Sequence, residues 1–154
     1  MRRKDRAITE TTEFDSIFKE ANVCRVAFND DEVPYIVAMN FGYAADRNAL
    51  YFHCATKGKK IDLLNRNNRV AFQLDCSHRL IPGEQACDFS WEFRSIIGKG
   101  RIAIVTDEAE RRFGLDCIMQ QYSNRKDFEY DLKLLKQTTI LKLQILEKTG
   151  KKKI

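Results

Sequence analysis

The 154 residues, 44% of them hydrophobic, suffice for a single globular domain over 1–154 with its own core. The net charge of +5 suits an anionic ligand, but no aromatic residues interleave along one basic face, which argues against a nucleic-acid surface. No apolar run nears the roughly 20 residues that span a bilayer, the basic N-terminus has no apolar signal core, and five cysteines form no CxxC pair, so a cytoplasmic protein without a membrane partner is expected.

Residues 1–9 read as a polar arm. Phe14, Ile17, Phe18 and Ala21 recur at helical spacing and predict a short amphipathic helix over 11–21. Strands follow at 24–28 and 33–41, joined by the polar cluster Asn29-Asp30-Asp31-Glu32, as in an antiparallel hairpin. A loop over 44–49 precedes a β-prone run at 50–54, and Ile61, Leu63 and Leu64 predict a helix that ends near Asn67-Asn68. Val70, Phe72, Leu74 and Cys76 alternate with polar residues and mark a half-buried strand over 69–76.

The stretch 77–87, with Pro82-Gly83, reads as a loop. Phe89, Trp91 and Phe93 then share one face of a strand that Gly98-Lys99-Gly100 interrupts, as a bulge or as a turn, before 102–105 resume it. Asp107 and Glu110 form a capping-box signature for a helix whose stripe is Phe113, Cys117, Ile118 and Tyr122. A short helical turn over 130–136, a closing strand over 141–145 and a basic tail at 149–154 complete the chain. The pattern predicts a mainly β, α+β domain, its antiparallel sheet closed into a barrel and flanked by helices.

The segment from Tyr51 to Lys60 carries the most chemistry. A strand feeds a glycine turn, Gly58, and a helix start that holds Lys59 and Lys60. Unpaired N–H groups at a helix N-terminus favour an anion such as a phosphate; the plainer reading is that the two lysines only solvate the helix start. His53, on the strand that enters this turn, is either a half-buried structural residue or a proton donor beside a bound ligand. Asn40 in an apolar run and Ser95 on the face of Trp91 and Phe93 need polar partners, from backbone or from a ligand edge. Cys76, His78 and Cys87 are the tightest metal-like set, but their spacing matches no zinc pattern, so no metal is expected. Hydrolase, zincin, P-loop and dinucleotide signatures are missing from the sequence.

Several segments together resemble the nitroimidazole-resistance branch of the pyridoxamine 5'-phosphate oxidase-like, FMN-binding split-barrel proteins. They are Met1 to Arg6, Val33 to Phe41, Leu50-Tyr51-Phe52-His53, Gly58-Lys59-Lys60 and Phe93-Arg94-Ser95-Ile96, in the same order over roughly 1–122. The resemblance implies a split β-barrel homodimer with one FMN in each of two clefts between subunits. It implies that Gly58, Lys59 and Lys60 meet the FMN phosphate, that Met39, Asn40, Phe52 and His53 line the flavin, and that Ser95 lies near the cleft. His53 is the catalytic candidate. Cys54, where the family often has glycine, and Phe93, where it often has tyrosine, depart from the pattern. The implied reaction is FMN-dependent reduction of a small-molecule acceptor, such as a nitroaromatic, by a small-molecule donor. A flavin-binding or sensing module without turnover, and a haem-binding use of the same barrel, are the alternatives.

Overall fold

A computed structural model describes residues 4–123, 125 and 127–154; Met1–Arg3 of the expected arm lie outside them. The arm does not stay free. After a turn of 3-10 helix at Lys4–Arg6, β1 (Ala7–Ile8) pairs with residues 150–151 near the other end of the chain. Helix α1 (Thr11–Glu20) buries Phe14, Ile17 and Phe18, as their spacing requires. Strands β2 (Cys24–Phe28) and β3 (Tyr35–Met39) form the expected hairpin, with Cys24 opposite Met39 and Phe28 opposite Tyr35. Pairing in β3 starts directly after Pro34, which has no N–H to give to a ladder.

The chain then turns through β4 (Gly42–Ala44) and β5 (Ala49–Ala55), a small hairpin whose first strand is too short to show alternation in the sequence. Helix α2 (Lys59–Arg66) leads into β6 (Arg69–Ile81) and β7 (Ser90–Ile104), followed by α3 (Glu108–Tyr122), α4 (Leu132–Gln137) and β8 (Thr138–Lys153). Two expectations are corrected here, and one choice is decided. Residues 77–81 are not loop: they extend β6 past an irregularity between Cys76 and Arg79, where Ser77 adopts φ 58°. At Gly98-Lys99-Gly100 the strand bulges and does not turn: the register shifts between Lys99 and Gly100, with the extra residue opposite, at Leu146 of β8. Finally, 149–153 are not a solvated tail but part of the sheet: all five pair with β7, and 150–151 also pair with β1.

The strands are ordered β3-β2-β6-β7-β8-β5-β4, every pair antiparallel, with β1 beside β8. The outer strands β3 and β4 do not pair with each other, so the sheet is unclosed. Its inner face holds Phe28, Phe41, Phe52, Phe72, Leu74, Ile96, Ile102 and Leu143, sealed by Ile17 and Phe18 of α1. A second layer lies behind β5, where α3 packs Cys117 and Ile118 against Ala44, Ala49, Tyr51 and Ile140. Thus β5 sends buried side chains to both faces, and Ala49 through Phe52 are all inaccessible. Gly42 lets α3 approach: a Cβ there would stand 2.3 Å from the backbone carbon of Cys117. At the far end of α3, the Tyr122 hydroxyl accepts from the Phe41 N–H (3.0 Å) and donates to the Asn22 carbonyl (2.9 Å). That tie fixes the end of β3 and the residues that follow it, with Met39 and then Asn40.

Candidate functional site

The site grows from the start of α2. Gly58 precedes the helix at φ 132°, a conformation that favours glycine, and the space where its side chain would project is open to 4 Å. Its carbonyl accepts from Ile61 N (2.8 Å) and Asp62 N (3.2 Å), and no side chain caps the helix. The N–H groups of Lys59 and Lys60 are therefore left without an intrahelical acceptor, at the positive end of the helix.

The two lysines part company. Lys59 Nζ pairs with Asp30 (2.7 Å) in the β2–β3 turn and lies over the Tyr35 ring at 4.8 Å, while Arg66 reaches the same carboxylate at 3.6 Å. Lys60 turns the other way, where its Nζ donates to Met39 Sδ at 4.0 Å and no carboxylate pairs with it among the described residues. Cys54 is buried beside it: burial pushes the thiol up, and the Lys60 charge pulls it partly back. Met39, Cys54 and Lys60 thus converge from β3, β5 and α2.

The other expected residues are placed differently. Phe52 is fully buried in the core, so it supports the strand from inside rather than lining a cleft. His53 points to the opposite face of β5 from Phe52 and Cys54, is exposed, and stands opposite Ile140 of β8. Asn40 lies just beyond β3 and is exposed, not a buried amide inside a strand. Ser95 donates to the Lys151 carbonyl at 3.4 Å and sits between Asp75 and Lys151. Three strand steps separate β7 from β3, about 14 Å at the usual strand spacing, so Ser95 does not join Met39 within one chain.

The face of β7 that carries Ser95 is also not the core face. Ile96, Gly98, Gly100 and Ile102 point inward, whereas Trp91 is 54% and Ile97 58% exposed. Alternation shows that two faces differ; it does not show which one is inside. A polar network missed in the sequence lies on the same outer face. Asp75 Oδ1 accepts from Arg25 and Gln73, both at 2.8 Å, and its Oδ2 meets His78 Nε2 at 2.6 Å. The metal-like trio disperses, with Cys76 buried, His78 on Asp75 and Cys87 exposed in the β6–β7 connection.

The family model described as pyridoxamine 5'-phosphate oxidase matches residues 10–152. The chain belongs to the pyridoxamine 5'-phosphate oxidase-like family. A candidate 5-nitroimidazole antibiotic resistance protein from Bacteroides thetaiotaomicron is 33% identical, over 94% of this chain and 85% of its own, with a TM-score of 0.82. The fold is shared more widely. A flavocytochrome from Azotobacter vinelandii matches with a TM-score of 0.84 at 18% identity, over 100% of this chain and 72% of its own. An FAD- and haem-binding protein from Mycobacterium smegmatis gives 0.83 at 19%, over 96% and 73%. No curated protein matches the sequence. The unclosed antiparallel sheet with flanking helices is the split barrel of these neighbours. No helix among the described residues is long and apolar enough to cross a membrane.

Within the family fold, the turn at Gly58 has what a terminal phosphate needs: open space, two N–H groups without an intrahelical acceptor and one ammonium that pairs with no carboxylate among the described residues.

Proposed function

We propose that the chain binds FMN, with the phosphate on the Gly58 turn and Lys60, and passes electrons from a small-molecule donor to a small-molecule acceptor such as a nitroaromatic. The observation that carries this reading is Lys60. A cation at the positive end of a helix, with a thioether as its one polar contact among the described residues, is electrostatically costly until an anion arrives. The kinship with the Bacteroides protein supports a nitroimidazole as acceptor. Bound FMN would supply the redox chemistry, and the protein its orientation and electrostatics. Met39 and Asn40 flank the site at the end of β3, and exposed His53 is available to exchange a proton with an acceptor. Lys59 helps mainly by holding the β2–β3 turn through Asp30. Ser95 would reach a flavin only from a second subunit, which fits a homodimer with FMN between the chains. Five free thiols fit a cytoplasmic setting.

The test is the absorption spectrum of the purified protein, followed by identification of what denaturation releases. Flavin bands and about one FMN per chain are expected. A colourless protein that takes up no added FMN would end the reading, and a Soret band would assign the barrel to haem. Lys60→Ala should weaken FMN binding roughly 10- to 150-fold, the worth of a charge-assisted contact of about 1.5–3 kcal/mol. Lys59→Ala should cost much less, because its ammonium is already committed to Asp30.

A further inference from the structure

We infer that the cavity between α3 and the chain leading through α4 is a binding site for a small aromatic carboxylate. The cavity measures about 300 Å³. That is the low end of the ligand-pocket range of roughly 300–1,000 Å³, so it takes a single ring and not a dinucleotide. The site is separate from the Gly58 turn and would exist in a chain that bound no flavin.

Its walls are built and specific. Leu115 and Leu135 form an apolar floor. The Tyr130 ring stands beside them, and its hydroxyl donates to Asp116 at 2.7 Å, which fixes the ring. Burial and that carboxylate push the phenol above its usual range, so it stays protonated as the donor. Arg111 is held in place by the carbonyls of Leu135 (2.7 Å) and Thr138 (3.1 Å).

The charge on these walls is unbalanced. Arg111, Arg112 and Lys136 all line the cavity, and among the described residues none of them forms an ion pair. Among the described wall residues the one acid, Glu108, lies in the first turn of α3, where the helix dipole already favours a negative charge. Arg112 lies 5.9 Å from the centre of the Tyr130 ring, so a planar acid slid between the ring and the floor would meet its guanidinium fork. A carboxylate matches that fork bidentately, and an aromatic body covers the leucines.

The full-length protein would be titrated with benzoate, benzamide and inorganic phosphate while its amide proton–nitrogen resonances are followed. Benzoate should give saturable shifts at Leu115, Tyr130 and Leu135, with benzamide and phosphate at least about tenfold weaker. Arg112→Gln with Lys136→Gln, both at exposed positions, should cut benzoate affinity about tenfold or more without changing the rest of the spectrum. Shifts that do not saturate, equal binding of benzamide or phosphate, shifts centred on Lys60, or full benzoate affinity in the double variant would each overturn the assignment.

Discussion

His53 and Lys60 lie close in the chain but face different surroundings, because strand alternation sends His53 away from Cys54 and the helix start carries Lys60 back towards it. His53 is exposed and packs no core, so its removal should leave stability within about 0.5 kcal/mol. If it supplies a proton to the acceptor, His53→Ala should keep its FMN and lose at least about tenfold in nitroaromatic reduction, measured at equal flavin content. Full activity would make His53 an ordinary surface residue. The lysine pair was legible in the sequence as a pair only. Nothing in the spacing tells that Lys59 is taken by Asp30 while Lys60 meets Met39, since those partners come from other strands. The amide of Asn40 misled for a related reason: an apolar run looks like a buried strand throughout, yet pairing stops at Met39. Phe52 misled in the opposite sense, since β5 is covered on both faces there.

Helix α3 shows how one element is fixed by residues that play unequal parts. The capping-box pattern is half realised: Asp107 accepts from Glu110 N at 2.8 Å, but the Glu110 side chain turns to the sheet instead of back to the cap. There it accepts from Lys142 (2.7 Å) and Tyr51 (3.0 Å), joining α3 to β8 and β5. The Lys142 bond is the largest influence and holds the carboxyl below its ordinary value of 4.5, against a smaller opposing effect of burial. A carboxyl depressed in the folded state stabilises fully above the unfolded value and loses that contribution as pH falls through the lower folded value. Glu110→Gln should therefore cost about 1 kcal/mol near pH 7, with the gap to the parent closing below pH 4, as read from denaturant midpoints across pH. At this scale the sequence was legible wherever a period ran for five residues or more, as in α1, α2, β2 and the first half of β6. It failed at the ends of β6 and β8, where Arg79 and Leu80 and Lys151 to Lys153 are paired by backbone while their side chains stay polar or exposed. Ladder hydrogen bonds leave no trace in hydropathy.

Across the whole molecule, the unclosed sheet leaves an outer face that the described residues do not cover. Antiparallel partners share a face, so the register places Ile36 and Ala38 of β3, Arg25 of β2, Gln73 and Asp75 of β6, and Ser95 and Ile97 of β7 together. Trp91, opposite Leu80, extends the same surface towards the β6–β7 connection. Apolar side chains this exposed, ringing the Arg25–Gln73–Asp75 network, describe a patch with a dry part and a polar centre, as in interfaces between subunits. Ser95 lies in this patch and Met39 and Lys60 do not, so a flavin that touched all three would have to lie between two chains. Ile97 is a sharp probe because it is 58% exposed and packs no core, so a charge there should leave the isolated fold intact. Ile97→Glu would bring a carboxylate against its symmetry mate or against the same apolar surface of the partner, at a cost of several kcal/mol for a buried unpaired charge. Sedimentation should show a dimer for the parent and a monomer for the variant, and the variant should lose FMN along with its partner. A monomer that keeps its flavin would place the cofactor wholly within one chain and remove Ser95 from the site. A variant that stays dimeric with FMN bound would move the interface off this face.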